Sequence, residues 1–182
     1  IYGQSPVGGT INAVSKKPLA QWGGEASLEG GNFGHMRGDF DMYGPLTDRL
    51  SYRVVAAYLD EDSFLDLAFN ERKVFAPSLK FDFTDRTSVT LMVQYQDAEF
   101  LSSYGSGLQY VGSLDDPYSD TDPRNFQVPD VPRSRIAVKP EGLSDREFLM
   151  SRVYLEHRFA NDWTLRANLQ DIQIDVVNQG SY

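Results

Sequence analysis

Along most of the chain, apolar and polar residues alternate with a period of two, as in a sheet whose two faces meet different surroundings. Between His35 and Leu46, the residues Met36, Gly38, Phe40, Met42 and Leu46 are apolar or small, and Arg37, Asp39 and Asp41 fall between them. Leu50, Tyr52, Val54, Ala56 and Tyr58 form the next stripe. Phe75, Pro77, Leu79, Phe81 and Phe83 alternate with Ser78, Lys80 and Asp82, and Val89, Leu91, Val93 and Tyr95 with Ser88, Thr90, Gln94 and Gln96. Leu149, Val153, Leu155 and Phe159 oppose Arg152, Glu156 and Arg158. Trp163, Leu165, Ala167 and Leu169 oppose Thr164, Arg166, Asn168 and Gln170. Around Asp171 the parity reverses, with Ile172, Ile174 and Val176 apolar. The reversal reads either as a β-bulge or as a strand that has passed out of the surroundings the other strands share. With Gly24–Gly30 as a first strand, the pattern predicts about seven antiparallel strands and an all-β fold.

The connections alternate in length. Gly44–Arg49, Thr84–Arg86 and Ala160–Asp162 read as tight, Asp-containing turns, whereas Asp60–Arg72 is longer and Ala98–Arg146 very long. Gly31–Gly34 is the one short connection at the long-loop end. Short turns on one side and long loops on the other are the layout of outer-membrane barrels, with the short turns periplasmic. The stripes end in aromatics (Tyr43, Tyr52, Tyr58, Phe83, Tyr95, Phe159 and Trp163), as interfacial girdles require. The opposite faces, with Arg37, Asp39, Asp41, Lys80, Asp82, Arg152, Glu156 and Arg158, would line a lumen. A soluble β-sandwich, used in adhesion or glycan binding, would instead show strands of about five or six residues.

Composition narrows the classes. The 182 residues carry a net charge of −9 and no basic stripe, which disfavours nucleic acid as a partner. There are no cysteines, so disulfides and thiolate metal sites are excluded. No apolar run approaches the ~18 residues of a membrane-spanning helix. Aromatics make up 13% of a chain that is polar on average, which suits a transmembrane barrel, where every second residue meets lipid. Gly3-x4-Gly8-Gly9-Thr10 falls short of a phosphate-binding loop, because Gly9 stands where its lysine is needed and a strand pattern follows. Asp115, Asp116, Asp120 and Asp122, like Asp60-Glu61-Asp62, read as solvated acidic loops rather than a calcium site. Arg133, Arg135 and Lys139 read as loop charges, with contact to an anionic ligand or a surface phosphate as the other reading. His35 and His157 are isolated in sequence, and no catalytic constellation emerges, so no enzyme activity is expected.

The opening residues say more. Tyr2-Gly3, Gly8-Gly9 and Asn12-x-Val14-Ser15-Lys16-Lys17-Pro18 closely resemble the end of the plug domain of TonB-dependent outer-membrane receptors, siderophore receptors of the ferrichrome type among them. The resemblance implies that residues 1–18 are the C-terminal end of a plug, with Tyr2, Gly3, Gly8, Gly9, Asn12, Lys16 and Pro18 structural. Residues 19–182 would be the N-terminal part of a plugged barrel of about 22 strands. It also implies a piece of a longer receptor in the outer membrane of a Gram-negative bacterium, surrounded by lipid and lipopolysaccharide. The cargo would be a ferric siderophore, and no cofactor is implied. The inner-membrane partner TonB would touch a segment upstream of this stretch.

In ferrichrome-type receptors the loop after the fifth strand carries a Tyr-Gly-Trp patch against the iron chelate. Tyr104-Gly105 matches it, and Ser106 stands where the tryptophan would be. The resemblance thereby names Tyr104, Gly105, Gln109 and Tyr110 as ligand-binding candidates, the aromatics offering faces for a bulky chelate to stack on. The open alternatives are a passive porin, a TonB-dependent importer of vitamin B12 or a glycan, and the sandwich described above.

Overall fold

A computed structural model describes residues 14–101, 134 and 144–178. Seven strands form one antiparallel sheet in sequence order. They are β1 (Gly23–Gly30), β2 (Met36–Thr47), β3 (Leu50–Asp62), β4 (Phe69–Thr84), β5 (Thr87–Phe100), β6 (Ser144–Arg158) and β7 (Thr164–Asn178). From β2 onward the strands run 12 to 16 residues, long enough to cross a bilayer at a tilt and too long for the sandwich reading. No second sheet covers this one among the described residues.

The tight turns are narrower than the sequence suggests. β2 runs through Pro45 to Thr47, with a register irregularity between those two residues. Thr47 Oγ1 accepts the amides of Arg49 (3.3 Å) and Leu50 (3.1 Å), and Thr84 Oγ1 accepts the amide of Arg86 (3.2 Å). Threonine hydroxyls, rather than the neighbouring Asp48 and Asp85, therefore close these two turns. In the third, Asp162 takes the left-handed conformation (φ 65°), with its amide on the Phe159 carbonyl. At the opposite end the β1–β2 connection closes with Gly31 N–H on the His35 carbonyl (2.8 Å), and Phe33 and Gly34 both have positive φ.

The two faces are sorted by the register. On one face lie Asp41, Ser51, Ser78, Thr90 and Ser144, all buried, together with buried Ala98 and Met150. Residues 14–18 lie against this face, which is therefore the inner one. The outer face carries Phe40, Phe75, Leu79, Leu91, Val93, Leu149 and Val153, all exposed. Small polar side chains inside and large apolar ones outside invert the layout of a water-soluble domain, and they match a wall facing lipid. Trp22 stacks edge-on against Tyr52 at 5.9 Å and lies so close to Gly44 that a Cβ there would meet its ring. With Phe83, Phe159 and Trp163 it supplies aromatics at the short-turn end, and Tyr58 and Tyr95 supply them at the other. Tyr43 departs from the expected girdle: it faces inward, under the Arg53 guanidinium at 4.7 Å.

The parity reversal at Asp171 involves no bulge. The β6–β7 ladder is unbroken from Arg158↔Thr164 to Ser144↔Asn178. Its cause is tilt. On β2 the outer apolar stripe extends up to Met36, whose row continues through Asp60, Glu71, Glu99 and Asp145 to Val177. On β7 the stripe stops at Leu169, eight residues lower, and Asp171, Gln173 and Asp175 take over the outer face. That drop is roughly 27 Å along the strands over roughly 24 Å across them, a tilt of roughly 45–50°. This lies near the upper end of the tilt of membrane barrels. β7 has left the apolar band, and Ile172, Ile174 and Val176 turn inward with Phe148 and Met150.

Two outcomes follow for the complete protein. Leu91→Arg and Val153→Arg, on one row of the outer face, should each cost about 2–4 kcal/mol of folding free energy in lipid. Gln94→Arg, on the inner face, should cost much less; equal penalties in folding titrations would contradict the face assignment. Expressed alone, the 182-residue stretch should aggregate in plain buffer or require detergent, because its outer stripe and both sheet edges lack partners. A cooperative monomeric melt without detergent would contradict it.

Candidate functional site

The functional geometry that the described residues carry is the seat of the N-terminal segment on the inner face. Asp41 and Arg53 sit diagonally across the β2–β3 hairpin, since Asp41 pairs with Val55 and Arg53 with Tyr43. The guanidinium grips the carboxylate in a two-pronged fork, Nε to Oδ1 at 2.8 Å and Nη2 to Oδ2 at 2.6 Å. Both side chains are only 11% exposed, so solvent screens the pair little. Paired, planar, charge-assisted bonds of this kind are among the stronger polar contacts a protein makes.

Lys16 brings its Nζ to the same carboxylate at 2.6 Å. Arg53 Nη1 donates to the carbonyl of Lys17 at 3.1 Å, and the Lys17 ammonium lies 3.7 Å from the centre of the Tyr154 ring on β6. Arg152, also on β6, donates to Ser15 Oγ at 3.4 Å and to Gln170 Oε1 on β7. Pro18 is buried and ends the segment. Three consecutive residues thus touch β2, β3 and β6. Beside them a groove of about 240 Å³ opens between Ser15, Lys16, Val55, Val74, Met92 and Met150.

Other inner-face charges pair along their own strands or to the next one. Arg37 meets Asp39 at 2.7 Å, Lys80 meets Asp82 at 2.7 Å, and Arg166 of β7 meets Glu156 of β6 at 3.4 Å. The sequence reading placed Arg37, Asp39, Asp41, Lys80, Asp82, Arg152, Glu156 and Arg158 together, and they share this face. It missed Arg53 and Tyr154, and held Lys17 only as part of the opening motif. Arg53 was legible in principle, because it falls between the stripe residues Tyr52 and Val54 and so takes the inward parity, but its meeting with Asp41 needs the hairpin register.

The two histidines, isolated in sequence, are not isolated in space. His35 Nδ1 lies 2.9 Å from Glu61 Oε2, and Asn70 donates to the other oxygen of Glu61 at 2.9 Å, which ties three strand ends together. His157 Nδ1 lies 2.8 Å from Thr87 Oγ1, with its ring edge-on to Phe159. Among the described residues no three His, Asp or Glu side chains converge as a metal site. Asp60, Glu61 and Asp62 alternate between the two faces.

The ligand-binding candidates Tyr104, Gly105, Gln109 and Tyr110 lie outside the described residues. So do Asp115, Asp116, Asp120, Asp122, Arg133, Arg135 and Lys139, and Tyr2, Gly3, Gly8, Gly9 and Asn12 of the opening motif. Within the long connection Ser134 is described: its carbonyl accepts the amide of Asp66 at 2.6 Å, and its hydroxyl donates to Asp66 Oδ2 at 3.2 Å. The β3–β4 loop and the β5–β6 connection therefore touch.

No family model matches the chain. It is 33% identical over 173 residues to the ferripyoverdine receptor of Pseudomonas aeruginosa, covering 93% of this chain and 20% of that receptor. It is 33% identical over 183 residues to the ferrioxamine B receptor of Salmonella typhimurium, covering 97% of this chain and 24% of that receptor. The crystal structure of the P. aeruginosa outer-membrane receptor bound to ferripyoverdine superposes with a TM-score of 0.72 at 28% identity, over 85% of this chain and 20% of that one. The chain spans about a fifth to a quarter of the length of these relatives. A sheet with apolar residues outside and paired charge inside, aligned along nearly its whole length with part of such receptors, belongs to the family of TonB-dependent outer-membrane receptors.

Proposed function

We propose that the protein containing this stretch takes up a ferric siderophore across the outer membrane, with energy delivered through TonB. The observation that carries the reading is the match to two siderophore receptors over more than nine-tenths of the chain. In this reading the residues through Pro18 are the C-terminal end of the plug, and β1–β7 are the first strands of the wall. The chelate binds at the extracellular mouth. The plug rearranges when TonB engages its upstream segment, and the wall stays hydrogen-bonded throughout. Transport of this kind makes and breaks no covalent bond, so no catalytic group is assigned. Lipid and lipopolysaccharide surround the outer face.

A passive porin would share the wall and lack the plug. The segment Ser15–Pro18, seated on Asp41, Arg53, Arg152 and Tyr154, supports the plugged reading. Tyr104, Gly105, Gln109 and Tyr110 are the residues we assign to the chelate. Aromatic faces suit a bulky chelate that offers few charges to pair.

In the complete receptor, Tyr104→Ala should weaken chelate binding by several-fold to about tenfold, the size of one lost stacking contact. Assembly, read as heat-modifiable gel mobility, should not change. Tyr110→Ala should show a smaller effect, or the larger one if Tyr110 replaces the tryptophan absent at Ser106. Equilibrium binding of ferric hydroxamate, catecholate and pyoverdine-type chelates decides it. Parent-like binding of every chelate by both variants would overturn the assignment.

A further inference from the structure

The inner-face cluster has a charge balance that singles out one residue. Two cations, Lys16 from the N-terminal segment and Arg53 from the wall, converge on the single carboxylate of Asp41. Arg53 is held from three directions: the Asp41 fork, the Tyr43 ring and the Lys17 carbonyl. Its position is fixed by the β2–β3 hairpin, so Asp41 and Arg53 together form a rigid socket. Lys16, by contrast, is more than half exposed along its side chain and has a long, flexible stem. Without the carboxylate, the two cations would repel. The segment would then keep on this side only the Arg53–Lys17 carbonyl bond.

We propose that Asp41 is the positioning residue that anchors the plug's last residues to the wall, so that plug rearrangement during transport stops at Ser15. The inference rests on the receptor reading above. Two features of the seat support it. The contacts of residues 15–17 spread over β2, β3 and β6, so a pull on the plug is shared among three strands that are each hydrogen-bonded to neighbours on both sides. The Asp41–Arg53 half of the cluster is shielded, so the carboxylate that receives Lys16 is held in a fixed position. A free junction would let the pull be spent in sliding the segment along the inner face. A fixed one directs it into the plug.

This stretch has no cysteine, so two introduced thiols would be the only ones within it. In the complete receptor, Lys16→Cys with Asp41→Cys removes the anchor. A bis-methanethiosulfonate cross-linker about as long as a lysine side chain restores it, each thiolate displacing methanesulfinate to form a reducible disulfide. We expect the unbridged double variant to bind ferric chelate with the parent's Kd and to take it up about tenfold more slowly or worse, in line with removal of a shielded ionic partner. Bridging should return uptake toward the parent's rate, and reductant should abolish that rescue. Parent-like uptake by the unbridged protein, or a bridge that fails to restore uptake or blocks it further, would overturn the anchor.

Should the double variant not assemble, Lys16→Ala carries the same test without stranding a buried charge. Slowed uptake at unchanged Kd supports the anchor, and parent-like uptake overturns it. Failure of the receptor reading itself would look different: the parent would show no energy-dependent uptake of any chelate.

Discussion

In lipid no water is available to satisfy backbone N–H and C=O groups, so the ladder between strands must do it. The rest of this sheet follows from that constraint. Each neighbouring pair from β1 to β7 is antiparallel and consecutive, and the register irregularities between Pro45 and Thr47 and between Asp82 and Thr84 fall next to the short turns. The exception inside the band is Pro77 on β4. It has no N–H to donate, and the pairing to β5 lapses between Phe75↔Tyr95 and Ser78↔Met92 while the register on either side is the same. The interruption is local, and the strand continues.

Once the backbone is satisfied, side chains sort by what each face meets. Outside, the exposed Leu79, Leu91 and Val153 gain by facing acyl chains and would be liabilities in water. Inside, carboxylates and cations pair within or between strands, because a period of two puts residues i and i+2 on one face; Arg37–Asp39 and Lys80–Asp82 are such neighbours. The tilt adds a second ordering. Because the apolar band crosses the strands diagonally, Asp171 on β7 stands clear of lipid while Met36 on β2 extends the apolar stripe. Charge above the band and aromatics at its edge mark where the hydrocarbon ends.

Much of this was legible in the sequence because a period of two survives any error in strand ends. The seven strands, their faces and the sidedness of their connections all follow from it. The turn boundaries did not, since the Thr47 and Thr84 hydroxyls close the turns and let β2 continue past a proline that reads as a breaker. The reversal at Asp171 was ambiguous for a similar reason: a single strand cannot say whether its register slipped or its surroundings changed, and the neighbouring Leu149↔Gln173 and Met150↔Ile172 pairs are needed to decide. The Asp41–Arg53 fork and the His35–Glu61 contact join residues 12 and 26 positions apart, set by hairpin register rather than by any local signal. Lys16 and Lys17 were read as the end of one element and the start of a link, and in the fold they meet the wall.

The central claim is that this stretch is a tilted barrel wall with lipid on one face only, and collision accessibility of nitroxide labels reads that directly. Labels placed singly along β5 and β7 of the complete receptor in bilayers should report oxygen contact, the signature of lipid, at Val89, Leu91, Val93 and Tyr95. They should not report it at the intervening Thr90, Met92 and Gln94. On β7 the oxygen signal should appear at Leu165 and Leu169 and give way to a water-soluble relaxation agent from Asp171 onward. Equal exposure of both parities to water on β5, or lipid contact at Asp171, Gln173 and Asp175, would contradict the account.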